Sequence, residues 1–162
     1  MMKKMLSLVM AVLMLVGVLS ACGGKKEEPA AKVDLTAFYT DLEESYDWGN
    51  GYMVDIEGEM LEMYFPGLAA IETEQFIAKM PLMSAVVNEV VFLECKSEED
   101  ASAAASVLQE RVTMQAEGGA WYPESMEAWS KAKVIQNGNY VAMIASAEYQ
   151  DEIVEKFNAL FA

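Results

Sequence analysis

The chain has 162 residues, with 26 acidic side chains against 11 basic ones, a formal charge of −15 and no histidine. So acidic a surface repels phosphate, which argues against nucleic acid as a partner. The missing histidine removes Ser-His-Asp and Cys-His catalysis, histidine-containing zinc sites and imidazole acid–base chemistry together.

Lys3 and Lys4 precede an apolar run over residues 5–20 that closes in Leu19-Ser20-Ala21-Cys22. A charged head, an apolar middle and small residues at the end form the layout of a secretory signal. With about 16 apolar residues where a spanning helix needs about 20, the run is short for a membrane span. Leu19-Ser20-Ala21-Cys22 resembles the lipobox of bacterial lipoproteins. That resemblance implies diacylglycerol on the Cys22 thiol, cleavage before Cys22, and a protein held at the extracytoplasmic face of a cell membrane. Two acyl chains on one residue supply the anchoring that a single chain does not. Cleavage removes Lys3 and Lys4 and no acid, so the remainder is more acidic still. With Cys22 acylated, Cys95 has no partner in a chain of two cysteines, and stability must come from the core. The expected organisation is a signal peptide over 1–21, a lipidated cysteine and tether over 22–33, and one globular α+β domain over 34–162.

Residues 23–31, rich in Gly, Lys and Glu and ending in Pro29-Ala30-Ala31, show no apolar period and read as the tether, with a reach of about 17 Å. Asp34 caps a helix over 35–48 whose apolar positions Leu35, Tyr39, Leu42 and Tyr46 share one face. A shorter helix is expected over 57–65, stopped by Pro66-Gly67. Residues 75–87 are ambiguous, and Pro81 makes part of them an edge strand. Glu89 to Cys95 is apolar on both faces and reads as a central strand. Ser97 caps the next helix, with Asp100 three residues on and Ala101, Ala105, Leu108 and Val112 as its stripe, ended by Gly118-Gly119. Pro123 opens a short helix to about Lys131. Residues 133–145 form a hairpin turning at Asn137-Gly138, and a last helix over 149–161 buries Ile153, Val154, Phe157, Leu160 and Phe161.

This order predicts an α+β fold: a small, mainly antiparallel sheet of three to four strands covered by helices, with a strand–helix–strand crossover followed by a hairpin and a C-terminal helix. Tyr64-Phe65-Pro66-Gly67-Leu68, the strand from Asn88 to Phe92, the helix from Glu98 to Arg111 and the hairpin at Gly138-Asn139-Tyr140-Val141 together resemble a family of small lipoproteins of Gram-positive anaerobes, catalogued as domain of unknown function 4358. The resemblance implies similarity over roughly residues 35–161. It implies no activity and no catalytic residues.

Several constellations hold residue types capable of chemistry. The acids at Glu43-Glu44, Asp55 and Glu57, and Glu98-Glu99-Asp100 are explained by solvated helix faces. The loop from Asp47 to Gly58 misses the calcium motif at its third, fifth, glycine and final positions. A pair of carboxylates cutting a glycosidic bond needs a larger scaffold. Met60-x-x-Met63 and Met80-x-x-Met83 have a spacing that suits copper(I), yet methionine is ordinary core filling. Cys95 reads as a buried, inert thiol, and Arg111, the sole arginine, as a partner of glutamates on its own helix. Packing of Tyr122 onto Met126 as a staple is the favoured reading of the stretch after the glycine pair, and Trp121, Tyr122 and Glu124 are its candidate recognition loop. No cofactor motif and no metal set emerge. The sequence therefore points to an uncharacterised membrane-anchored domain that binds a solute, cation or envelope protein rather than one that catalyses. A protein-interaction or envelope-scaffold module is the alternative, and a carboxylate-based hydrolase a distant third.

Overall fold

A computed structural model describes residues 32–47 and 52–162. The signal segment, Cys22, the tether and Trp48 lie outside the described residues. The compact unit runs from Val33 to Ala162. It holds helix α1 (Leu35–Ser45), strand β1 (Met53–Asp55), α2 (Gly58–Tyr64), a 3-10 turn (Leu68–Ala70), β2 (Thr73–Pro81), β3 (Asn88–Cys95), α3 (Glu98–Met114), a π turn (Gln115–Gly119), α4 (Pro123–Lys131), β4 (Lys133–Asn137), β5 (Tyr140–Ser146) and α5 (Gln150–Ala159).

The fold is α+β, with five strands in the order β1-β2-β3-β5-β4, every pair antiparallel. The three to four strands expected from sequence become five because β1 is only three residues long and carries no alternating pattern of its own. β3 is central and buried along its whole length, as its two-faced apolar sequence predicts. β2 is not simply an edge strand. β1 pairs with its Lys79–Pro81 end, while β3 runs beside the rest. Pro81 is tolerated because it is the final strand residue.

Side chains alternate across β3 and so build two cores. On one face Val90 and Phe92, with Ala142 and Ile144 of β5, pack under Leu35, Phe38 and Leu42 of α1 and Ile153 and Phe157 of α5. The rings of Phe38, Phe92 and Phe157 meet at centroid distances of 5.1–6.0 Å. On the other face Val91, Leu93 and Cys95 pack against Ala101, Ala104, Leu108 and Val112 of α3, with Phe65, Leu68 and Trp129 closing the flanks. The stripe of α3 thus uses Ala104 and Arg111 where Ala105 was expected; Ala105 is half-buried.

Local signals account for the helix starts. Asp34 Oδ1 accepts from the Ala37 amide at 2.9 Å, and Ser97 Oγ accepts from the Asp100 amide at 3.1 Å. The hairpin turns on Gly138-Asn139, not Asn137-Gly138, since Asn137 and Tyr140 are paired. Of these two turn residues Gly138 alone has a positive φ (57°), as a II′ turn requires. A polar clamp fixes α1 to the sheet. Gln75 Nε2 donates to the Val33 carbonyl at 2.7 Å and to Glu94 at 2.6 Å, while its Oε1 accepts from the Leu35 amide at 2.9 Å.

Candidate functional site

β3 starts with two buried polar residues, Asn88 and Glu89, before its apolar run. Glu89 shares a sheet face with Val91 and Leu93 and therefore points at α3. There it meets Arg111, one helical turn beyond Leu108 on the buried stripe. The guanidinium Nε and Nη2 donate to the two Glu89 oxygens at 3.0 and 2.8 Å, a fork-to-fork pair. Side-chain exposures are 6% for Arg111 and 4% for Glu89. The sole arginine therefore pairs across 22 residues with a strand carboxylate and not with the glutamates of its own helix. Aromatic rings flank the cation: Tyr64, the last residue of α2, at 4.6 Å to the centroid, and Trp129 of α4 at 5.3 Å.

Above this pair is a concavity of about 250 Å³, bounded by Arg111 and Glu89, by Gln115 and Gly119 of the π turn, and by Trp129 and Trp121. The glycine pair shapes its rim. Gly118 has φ 127°, where a side chain is strained, and the Ala120 amide closes the turn on the Gln115 carbonyl at 3.2 Å. A Cβ on Gly119 would stand 2.8 Å from both Gln115 Nε2 and the Met114 carbonyl oxygen. The chain leaves this turn with Trp121 91% exposed at the mouth of the pocket. A second concavity, about 490 Å³, lies across the β2–β3 connection and includes Asp47, Tyr52, Glu148 and Tyr149. The two share Pro81, Met83, Val86, Val87 and Asn88. Burial, then Glu148 and Asp47, push the Tyr149 hydroxyl above its ordinary pKa, a sign of the negative field there.

The recognition loop expected from sequence is thus split. Trp121 reaches the pocket over Arg111; Tyr122 is half-exposed outside it; Glu124 lines a separate polar cleft with Glu127 and Glu148. Arg111, Glu89, Tyr64 and Trp129 escaped the sequence reading as a site. A lone arginine on an otherwise apolar stripe was the available signal. Met60, Met63 and Met83 are exposed and not core fillers, whereas Met80 is partly buried. Cys95 is fully buried; burial and then Asp100 push its thiol pKa up, which keeps it protonated and unreactive. Among the described residues no group of three Cys, Asp or Glu side chains is placed to hold a metal ion.

Residues 46–146 match the model of a family described as Domain of unknown function (DUF4358). The chain belongs to this family. The matched segment is narrower than residues 35–161. It contains the whole sheet, helices α2 to α4 and every residue of the Arg111 pocket, while α1 and α5, which cover the other sheet face, fall outside it. No curated protein and no solved structure matches the chain.

Proposed function

We propose that this family member is a non-catalytic, ligand-binding domain held at the extracytoplasmic face of a cell membrane by diacylglycerol on Cys22. The observation that carries the binding half is Trp121. A tryptophan almost wholly in water, at the mouth of a pocket floored by an ion pair and with Tyr122 and Met83 exposed as well, leaves apolar area open to a partner. The absence of histidine from the whole chain and the burial of Cys95 support binding over catalysis. The anchoring half rests on Lys3-Lys4, the apolar run and Leu19-Ser20-Ala21-Cys22. Among the described residues no helix is long and apolar enough to cross a membrane, so in this reading the lipid alone does the holding.

Replacing Cys22 by Ala tests the anchor: the variant should leave the membrane fraction, and its retention there would end the lipoprotein reading. A thermal-shift screen of the full chain tests binding. A ligand at a hundred times its dissociation constant adds about 2.7 kcal/mol. A second reading, a protein-interaction module, is favoured by the exposed Leu82, Met83 and Val86 of the β2–β3 connection. It predicts a flat small-molecule screen and a crosslink from this connection to another envelope protein.

A further inference from the structure

The floor of the Trp121 pocket selects among ligand chemistries. A guanidinium carries five N–H donors. Arg111 spends one from Nε and one from Nη2 on Glu89, and its Nη1 makes no hydrogen bond to any described residue although the residue is only 7% exposed. Arg111 borders the pocket, so donors it does not spend on Glu89 are available to a ligand there. Glu89 accepts one bond on each oxygen and keeps a further lone pair on each. The pair therefore offers the pocket both donor and acceptor capacity, with Gln115 and Ser84 adding an amide and a hydroxyl at the margin.

Charge narrows the choice. Glu89 cancels Arg111, no lysine among the described residues borders the pocket, and the chain as a whole is at −15. A carboxylate or phosphate would enter against the field, and a cation would find the one carboxylate in the described lining, Glu89, already paired with Arg111. What remains is a neutral ligand whose groups both donate and accept, which is the chemistry of adjacent hydroxyls. Trp121 supplies the second element. The C–H face of a sugar ring is apolar with slightly positive hydrogens, and it fits the negative face of an indole. A volume of about 250 Å³ is roughly eight waters at about 30 Å³ each, room for one ring with the rest of a chain outside.

Resting on the binding reading above, we infer that this pocket takes one ring of a neutral oligosaccharide, stacked on Trp121 and hydrogen-bonded to Arg111 and Glu89. The test is a titration of the full-length protein, in a detergent without a sugar headgroup, with neutral hexose and N-acetylhexosamine oligomers and with uronic-acid oligomers of equal length. Indole fluorescence and calorimetry give the affinities. A neutral oligomer is expected to bind saturably. Trp121→Ala should weaken it at least tenfold without moving the thermal midpoint, since the side chain is in water; Gln115→Ala should weaken it less; and the acidic oligomers should bind at least tenfold more weakly than neutral ones. Neutral binding indifferent to Trp121→Ala, or equal binding of acidic oligomers, overturns the inference. If sugars fail while an apolar peptide binds in a Trp121-dependent way, the sugar inference falls and the binding reading stands. If no ligand of any class depends on Trp121, both fall.

Discussion

Replacing Glu89 by Gln is the sharpest test of how the site is built. The amide keeps the shape, removes the negative charge and turns one acceptor into a donor group aimed at guanidinium N–H groups 2.8–3.0 Å away. Arg111 keeps its charge, and its side chain is only 6% exposed. Removing one member of such a buried pair costs about 3–5 kcal/mol, a large part of the roughly 5–15 kcal/mol that holds a typical domain together. At roughly 4 °C per kcal/mol for a domain of this size, the thermal midpoint should fall by about 12–20 °C. The flanking rings of Tyr64 and Trp129 soften the loss through cation–π attraction but cannot replace a carboxylate. The assay is denaturant unfolding of Glu89→Gln, Arg111→Met and the double variant Glu89→Leu/Arg111→Met. Both singles should be strongly destabilised, and the double should recover most of the loss, because apolar groups of similar volume need no pairing. A Glu89→Gln cost below about 1 kcal/mol, or a double variant as unstable as the two losses added, would refute the description of a tightly coupled, desolvated pair.

Gly119→Ala should cost about 1–3 kcal/mol, since its Cβ must displace the Met114 backbone oxygen, and proteolysis should then cut near the π turn sooner. Gln75→Ala removes two hydrogen bonds at the start of α1 and one to Glu94 of β3, all part-buried, at about 1–3 kcal/mol; hydrogen exchange should show α1 opening before the sheet does. Alkali should destabilise the fold. Burial is the largest cause raising the pKa of Tyr39, with Glu43 next, so the unfolded chain loses this proton first and stability falls as pH rises above about 10. Tyr39→Phe should flatten that decline in a pH series of thermal midpoints, and an unchanged slope would assign the alkaline loss elsewhere.

Much of the fold was legible because it rests on local rules. β3 announced itself by apolar residues on both faces, and Asp34, Ser97 and Pro123 marked helix starts where the structure has them. β1 was invisible because three residues hold too little pattern, and β2 was half-read because its Pro81 argues for an edge that β1 only partly covers. The site was harder for a different reason. Glu89 and Arg111 are neighbours only once the crossover from β3 into α3 fixes the register of helix on sheet. Within the sequence, a glutamate opening a buried strand looks like a strand boundary, and an arginine among glutamates looks like a surface residue. Trp121 was legible as a loop aromatic after two glycines, but what it stands beside is a tertiary fact.

The Gln75 clamp has a mechanical consequence. It ties Val33, where the polypeptide joins the domain, to Glu94 near the last residue of β3, whereas Glu89 lies five residues back on the opposite sheet face, roughly 17 Å along the strand. Tension arriving through the N-terminus is therefore borne by α1 and its sheet contacts, at the end of the strand remote from the guanidinium. Under the proposed anchoring and binding, the chain would be gripped at one end of this strand with its pocket at the other, so a pull on the tether would be spent away from the ligand.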